Sequence, residues 1–354
     1  MAKDDAFSSR DDLDDVIKDE STPVIKGDSI SKYYITTKRL FGQKITYKAV
    51  DNVSLEVQNN MVLGLVGESG SGKTTLGKIL IGLIQPTSGT VFFRNTPLSS
   101  IRDVKFIRKN LQIIFQDPFS SLNPKKRIMD ILARPLIIHG IVGKNNVEDK
   151  ICRLLEEVGL IPATEFLDKY PDQLSGGQRQ RIVIAKAISI NPSFIVADEP
   201  VSSLDANVRG TILRLLNDLR IKHNISMLFI THDILTVRYI ADRVAVMYLG
   251  RIVEEADTFT LLSRPFHPYT EALLSCVAVP DPDVKFKIKV YGEPMDITER
   301  LPACRFYNRC PYAQPICKQL EPPLVEVKKG HLVSCHFATP RETSDKLKAY
   351  LHLA

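Results

Sequence analysis

Nine consecutive residues, Gly67-Glu68-Ser69-Gly70-Ser71-Gly72-Lys73-Thr74-Thr75, have the types and spacing needed to grip a chain of phosphates. They match G-x-x-x-x-G-K-[ST] at every constrained position. The glycines (Gly67, Gly70, Gly72) let the backbone curl until successive N–H groups point into one concavity. A helix starting there adds its positive end. Lys73 is expected to reach the outer phosphates and Thr74 to place its hydroxyl on Mg²⁺, while Ser69, Ser71 and Thr75 complete the candidate site.

Two further stretches fit the same chemistry. The apolar run Phe194-Ile195-Val196-Ala197 ends in two acids, Asp198 and Glu199. Asp198 is expected to hold the Mg²⁺ shell, and Glu199, one residue on, to polarise an attacking water. Leu174-Ser175-Gly176-Gly177-Gln178 opens a helix, with Ser175 as its N-cap and the glycines exposing N–H groups. That is a second anion site. One nucleotide does not need two, which suggests that this one faces a partner's nucleotide.

Four of the six cysteines fall within residues 304–335: Cys304, Cys310, Cys317 and Cys335. In a reducing compartment such crowding suggests metal rather than disulfides. Four thiolates suit either an iron–sulfur cluster or Zn²⁺. Cys152 and Cys276 read as packed or free thiols.

These residues need a scaffold, and the pattern supplies one. Met61 to Val66 is an apolar strand before the glycine-rich loop, and Leu76 to Ile84 is apolar at helical spacing after it. Val24–Gly27, Ile45–Val50 and Val53–Val57 read as short, half-buried, antiparallel strands. Thr90–Phe93 and Leu111–Phe115 add two more. Residues 119–174 turn helical, with helices over Ile128–Arg134 and Val147–Val158, and look like an insertion. Helix then alternates with strand: 176–190, Phe194–Ala197, 206–222, Met227–Ile230. Val244–Met247 and Arg251–Glu254 form a hairpin around Gly250. The expected fold is α/β, a mainly parallel sheet covered on both faces. Beyond about residue 257 prolines become dense and the cysteines appear, so a small second domain is expected over 257–354.

The chain has 354 residues, 44% hydrophobic and 25% charged, ordinary for a globular protein. No run of eighteen apolar residues is present and the N-terminus has no apolar signal, which points to the cytosol. Net charge is +6, but residues 1–20 hold eight acids and three bases, leaving about +11 on the rest. Residues 1–22 read as a disordered acidic tail. No aromatic-interleaved basic patch points to nucleic acid.

In order and spacing these motifs resemble the nucleotide-binding subunit of an ABC transporter, with residues 24–256 as the ATPase, an antiparallel β subdomain and a helical insertion. The resemblance implies that Leu174 to Gln178 is the signature motif, acting in trans on ATP. It implies that Gln116 is the Q-loop glutamine, touching Mg²⁺ and sensing the transmembrane subunit. Ser203-Leu204-Asp205 matches the D-loop, His232 the switch histidine at the γ-phosphate, and Tyr34 the aromatic that stacks on adenine. Glu199, His232 and Lys73 are then the catalytic set, and two ATP molecules lie between two cassettes.

Pro265-Phe266-His267-Pro268-Tyr269-Thr270 is similar to the His-Pro-Tyr segment of the oligopeptide/dipeptide transporter ATPases. The tail Cys304-x5-Cys310-Pro311-x5-Cys317-x17-Cys335 looks like that subfamily's C-terminal region, where four cysteines ligate a [4Fe–4S] cluster. The implied role is a peripheral ATPase on the cytoplasmic face of the membrane, driving peptide import. Its implied partners are transmembrane permease subunits, a second and different ATPase subunit and, indirectly, an extracytoplasmic substrate-binding protein. Rival readings keep the transporter but change the cargo to nickel or oligosaccharides, or make the chain a soluble ABC ATPase on DNA or ribosomes.

Overall fold

The computed structural model describes residues 22–37, 44–143, 146–275, 303–341 and 343. Residues 1–21 of the acidic tail, and Cys276, lie outside them.

Three strands are buried along their whole length: β3 (Val62–Val66), β7 (Phe194–Asp198) and β8 (Ser226–Thr231). Buried on both faces, such strands must be apolar almost throughout, which is why they read as continuous runs rather than alternations. With β6 (Leu111–Ile114) and β9 (Arg243–Tyr248) they form five parallel strands in the order β9-β3-β8-β7-β6. β10 (Arg251–Asp257) turns back antiparallel on β9. Leu249 and Gly250, both at positive φ (44° and 84°), make the tight turn between them.

The two faces of this sheet feed two separate cores. Val62, Val66, Ile195, Ala197, Met227, Phe229, Val244 and Val246 face one, and Leu63, Leu65, Phe194, Val196, Leu228, Ile230, Ala245 and Met247 face the other. That is the strict two-residue period of a pleated strand. The first core takes in the helical insertion. Its α4 (Ile128–Ile138) and α5 (Val147–Glu157) pack Leu132, Leu136, Ile151 and Leu155 against α7 (Gly176–Ile188). Preceding them in chain order are α1 (Lys73–Leu80), α2 (Val104–Asn110) and α3 (Pro118–Ser121), and α6 (Thr164–Leu167) follows α5. α4 runs through Pro135, past the Arg134 expected from spacing, because Leu132 and Leu136 are both fully buried on its packed face.

The second core lies under a separate antiparallel sheet, ordered β2-β1-β4-β5. Here the structure corrects the expectation of several short strands. β1 runs from Ile25 to Thr37 and β2 from Lys44 to Val57, each one long strand. The two pieces read as Ile45–Val50 and Val53–Val57 are joined through Asn52, whose left-handed backbone (φ 53°) shifts the phase of burial without ending the strand. β4 (Ser88–Phe93) and β5 (Thr96–Pro97) complete this sheet. α1 lies between the sheets and buries Leu76, Ile79 and Leu80. Each such side chain contributes about 1.5–3 kcal/mol of burial free energy.

After β7 and β8 come α8 (Ala206–His223) and α9 (Ile234–Val237), and β10 is followed by α10 (Thr258–Ser263) and α11 (Pro268–Ser275). The last described strands, β11 (Val325–Lys328) and β12 (His331–Val333), extend the large sheet: β12 pairs with β10 through Glu254–Val333.

Candidate nucleotide site

The glycine-rich loop leaves β3 and enters α1 at the C-terminal edge of the parallel strands, where ligands of open α/β sheets sit. Gly72 is the N-cap of α1 at φ 103°, and a Cβ there would lie 2.0 Å from the Ala49 carbonyl oxygen. At Gly67 a Cβ would lie 2.1 Å from the Met247 oxygen. The loop therefore sits directly on its neighbours' backbone, and only glycine fits at these two turns.

A cleft of about 690 Å³ opens beside it, lined by Ser69, Gly70, Gly72, Lys73, Thr74 and Thr75 of the loop, and by Tyr34, Tyr47, Glu68, Gln116, Glu199 and His232. Gly67 and Ser71 lie beneath, Ser71 only 2% exposed. Lys73 is buried and donates from Nζ to the carbonyl oxygens of Gly67 (2.7 Å) and Glu68 (2.8 Å). Burial lowers its pKa, against the opposing pull of Glu199, Asp198 and Glu68. An anionic phosphate chain would relieve that desolvation.

Asp198 ends β7 with 3% exposure and accepts a hydrogen bond from Thr74 Oγ1 at 3.0 Å. Burial pushes its carboxyl pKa up, against the Thr74 bond. A carboxylate and a hydroxyl meeting at the loop's end, in a place that penalises negative charge, fit a Mg²⁺ ion bound with phosphates.

Glu199 follows at φ 47°, a strained setting for a residue with a Cβ, held there by its N–H bond to Ile230 O (2.9 Å). Its two carboxylate oxygens have separate partners. Gln116 Nε2 donates to Oε2 at 3.0 Å, and His232 Nδ1 lies 3.1 Å from Oε1. Two residues distant in sequence, Gln116 and His232, thus converge on the Glu199 carboxylate at the mouth of the loop.

Adjacent tyrosines on β1 point to opposite faces. Tyr33 Oη donates to Asp51 at 2.5 Å, while Tyr34, 41% exposed, lines the cleft with the Lys32 ammonium 5.5 Å from its ring centre. Tyr47 stands opposite Tyr34 in the strand register and donates to Gly70 O at 3.3 Å. Sequence reasoning missed Tyr47 and Glu68. The first could have been found by pairing the strands; the second occupies an unconstrained position of the loop pattern.

Ser175 caps α7 with a reciprocal pair: Gln178 N–H donates to Ser175 Oγ (3.3 Å) and Ser175 N–H to Gln178 Oε1 (3.0 Å). Ser175, Gly176, Gly177, Gln178 and Asp205 are not among the residues lining the cleft. Ser175, Gly176 and Asp205 are exposed, so this helix start is presented outward.

The cysteines form a fourth group. Burial pushes the Cys304 thiol up to about 12, with Cys317, Cys335 and Cys310 adding to the rise, and burial raises Cys310 and Cys335 too. Cys304 N–H donates to Cys317 O at 2.8 Å. Among the described residues, however, no group of three or more His, Cys, Asp or Glu side chains is placed to hold a metal ion. As placed, these thiols do not form a closed ligand set.

Comparison with known proteins agrees with the geometry. Residues 50–202 match the family described as ABC transporter, and residues 253–317 match the oligopeptide/dipeptide transporter C-terminal region. The chain is 42% identical over 314 residues to the oligopeptide transport ATP-binding protein AppF of Bacillus subtilis, covering 87% of this chain and 95% of that one. It is 41% identical over 319 residues to the dipeptide transport ATP-binding protein DppF of Haemophilus influenzae, covering 89% and 97%. A dimeric post-hydrolysis structure of the ATP-binding cassette MJ0796 bound to ADP and Pi matches with a TM-score of 0.58 at 28% identity, covering 66% of this chain and 98% of that one. On these grounds the chain belongs to the ABC transporter family, within its oligopeptide/dipeptide transport ATP-binding proteins.

Proposed function

We propose that the chain is the ATP-hydrolysing subunit of a peptide importer, working peripherally at the cytoplasmic face of the membrane. The observation that carries this is the Glu199 carboxylate, held between Gln116 and His232 at the mouth of the phosphate loop. Peptide cargo is supported by the relatives' names and by the C-terminal region that matches theirs. Among the described residues no helix is long and apolar enough to cross a membrane. The relatives' names as transport ATP-binding proteins support permease subunits as the passage itself. An extracytoplasmic binding protein would deliver cargo to those.

In the reaction, the loop's N–H groups and Lys73 hold the ATP phosphates, and Tyr34 stacks on the adenine. Glu199 orients a water in line with the γ-phosphorus and takes its proton, while His232 and Lys73 stabilise the charge that builds on the γ-oxygens. Thr74, Asp198 and Gln116 would hold Mg²⁺, which neutralises the phosphate oxygens. The outward-facing Ser175–Gln178 helix start and Asp205 are left to serve the ATP of a second, different cassette. Replacing Glu199 with Gln tests the reading: ATP binding persists and hydrolysis falls by about 10²–10⁴. Undiminished turnover would refute it.

We further propose that the four cysteines close on a [4Fe–4S] cluster, with Zn²⁺ as the alternative occupant. Support comes from their crowding into residues 304–335 and from the Cys304 N–H bond to Cys317 O at 2.8 Å, which ties two of them together. No step of the ATPase reaction passes through it.

A further inference from the structure

Glu68, second in the phosphate loop, is held from outside the loop. Arg309 Nη1 and Nη2 each lie 2.9 Å from a Glu68 carboxylate oxygen, a two-pronged pair bridging 241 residues of sequence. The Glu68 N–H donates to Tyr269 Oη at 2.9 Å, across 201 residues. The Glu68 carbonyl in turn accepts from Lys73 Nζ. One loop residue thus connects the phosphate-binding lysine to two side chains of the C-terminal region.

Those two side chains are themselves fixed. Tyr269, Tyr248 and Phe306 are each 1% exposed, with ring centres 4.5–5.4 Å apart. The Arg309 guanidinium lies 5.8 Å from both the Tyr248 and Phe306 ring centres and is 3.3 Å from Tyr248 Oη. A planar cation set against aromatic rings loses little freedom when it takes up a carboxylate. Glu68 needs such a partner, because it lines the cleft and its charge would otherwise repel the phosphates.

We propose that Arg309 and Tyr269 brace the phosphate loop through Glu68: Arg309 neutralises its carboxylate and Tyr269 fixes its N–H, so that the loop is held open in the shape that receives ATP. Both are positioning residues. The brace rests on ATP binding by the Gly67–Thr75 loop. It gives the C-terminal region, whose Arg309 directly precedes Cys310, a direct hold on nucleotide affinity.

The test is ATP titration of the purified full chain by calorimetry, with steady-state ATPase assays of the assembled complex alongside. Arg309→Ala should weaken ATP binding about tenfold and raise KM for ATP to match, with kcat changing less than about twofold. Arg309→Lys, which keeps the charge but not the fork, should recover part of the loss. In a Glu68→Gln background, Arg309→Lys should cost nothing, because the pair acts as a unit. That comparison uses conservative variants and stands even if Arg309→Ala does not fold. Unchanged affinity in Arg309→Ala, or an Arg309→Lys loss that persists in full in the Glu68→Gln background, would overturn the brace. Wild-type chain that fails to bind ATP would instead overturn the ATPase reading beneath it.

Discussion

Gln116 Nε2 donates to Glu199 Oε2 across 3.0 Å, tying the carboxylate proposed to orient water to the segment leading from β6 into the helical insertion. On the proposed function, a shift of that insertion relative to the sheet would reach Glu199 through this bond. Gln116→Ala should lower kcat about tenfold, with most of the loss in permease-stimulated turnover, and should weaken Mg²⁺-ATP binding less than it weakens turnover. ATPase assays with and without permease subunits measure this; an unchanged stimulated rate would contradict the coupling.

The loop's geometry makes a second prediction. A methyl at position 72 meets the Ala49 carbonyl at 2.0 Å and demands a φ of 103° that alanine resists. Gly72→Ala should cost about 1–3 kcal/mol of stability and lower ATP affinity by at least tenfold, about 1.4 kcal/mol. Urea unfolding and ATP titration read the two effects separately.

Acid should weaken the fold through one buried histidine. His267 is 2% exposed, and burial, with Arg341 adding to it, lowers its pKa to about 3. The unfolded chain takes up that proton near pH 6.5 and the folded chain does not, so stability is full above pH 6.5 and declines below it. From pH 6.5 down to 5 the loss from this site steepens to about 1.4 kcal/mol per pH unit, from about half that slope at pH 6.5. Unfolding free energies of wild type and His267→Gln over that range should differ in slope. Parallel slopes would show that His267 does not carry the effect.

The thiols can be tested by composition. Protein purified without oxygen should be brown and contain iron, and Cys310→Ser should lose both colour and iron. Colourless protein with stoichiometric zinc would replace the cluster with the alternative ion.

Much of this was legible in the sequence, for physical reasons. Strands buried on both faces must be apolar, so β3, β7 and β8 announced themselves. The phosphate loop was legible because Gly67 and Gly72 press against backbone oxygens where no other residue fits. Local patterning could not show how Asn52 keeps β2 running as one strand. Nor could it reveal contacts made between distant segments. Tyr47 faces Tyr34 only through strand register, and Arg309 reaches Glu68 across 241 residues. Both depend on the finished fold, and neither residue type is unusual where it stands.

On the proposed function this chain supplies only half of each working pocket, and its own Ser175–Gln178 helix start is not among the residues lining its cleft. Light scattering of the Glu199→Gln chain with ATP, alone and mixed with its partner cassette, tests this most directly. ATP should drive the 39.8 kDa chain into a particle of about twice that mass, and Ser175→Arg should abolish the shift. A wild-type chain that stays at 39.8 kDa and hydrolyses ATP at full rate, independent of its concentration, would contradict the account.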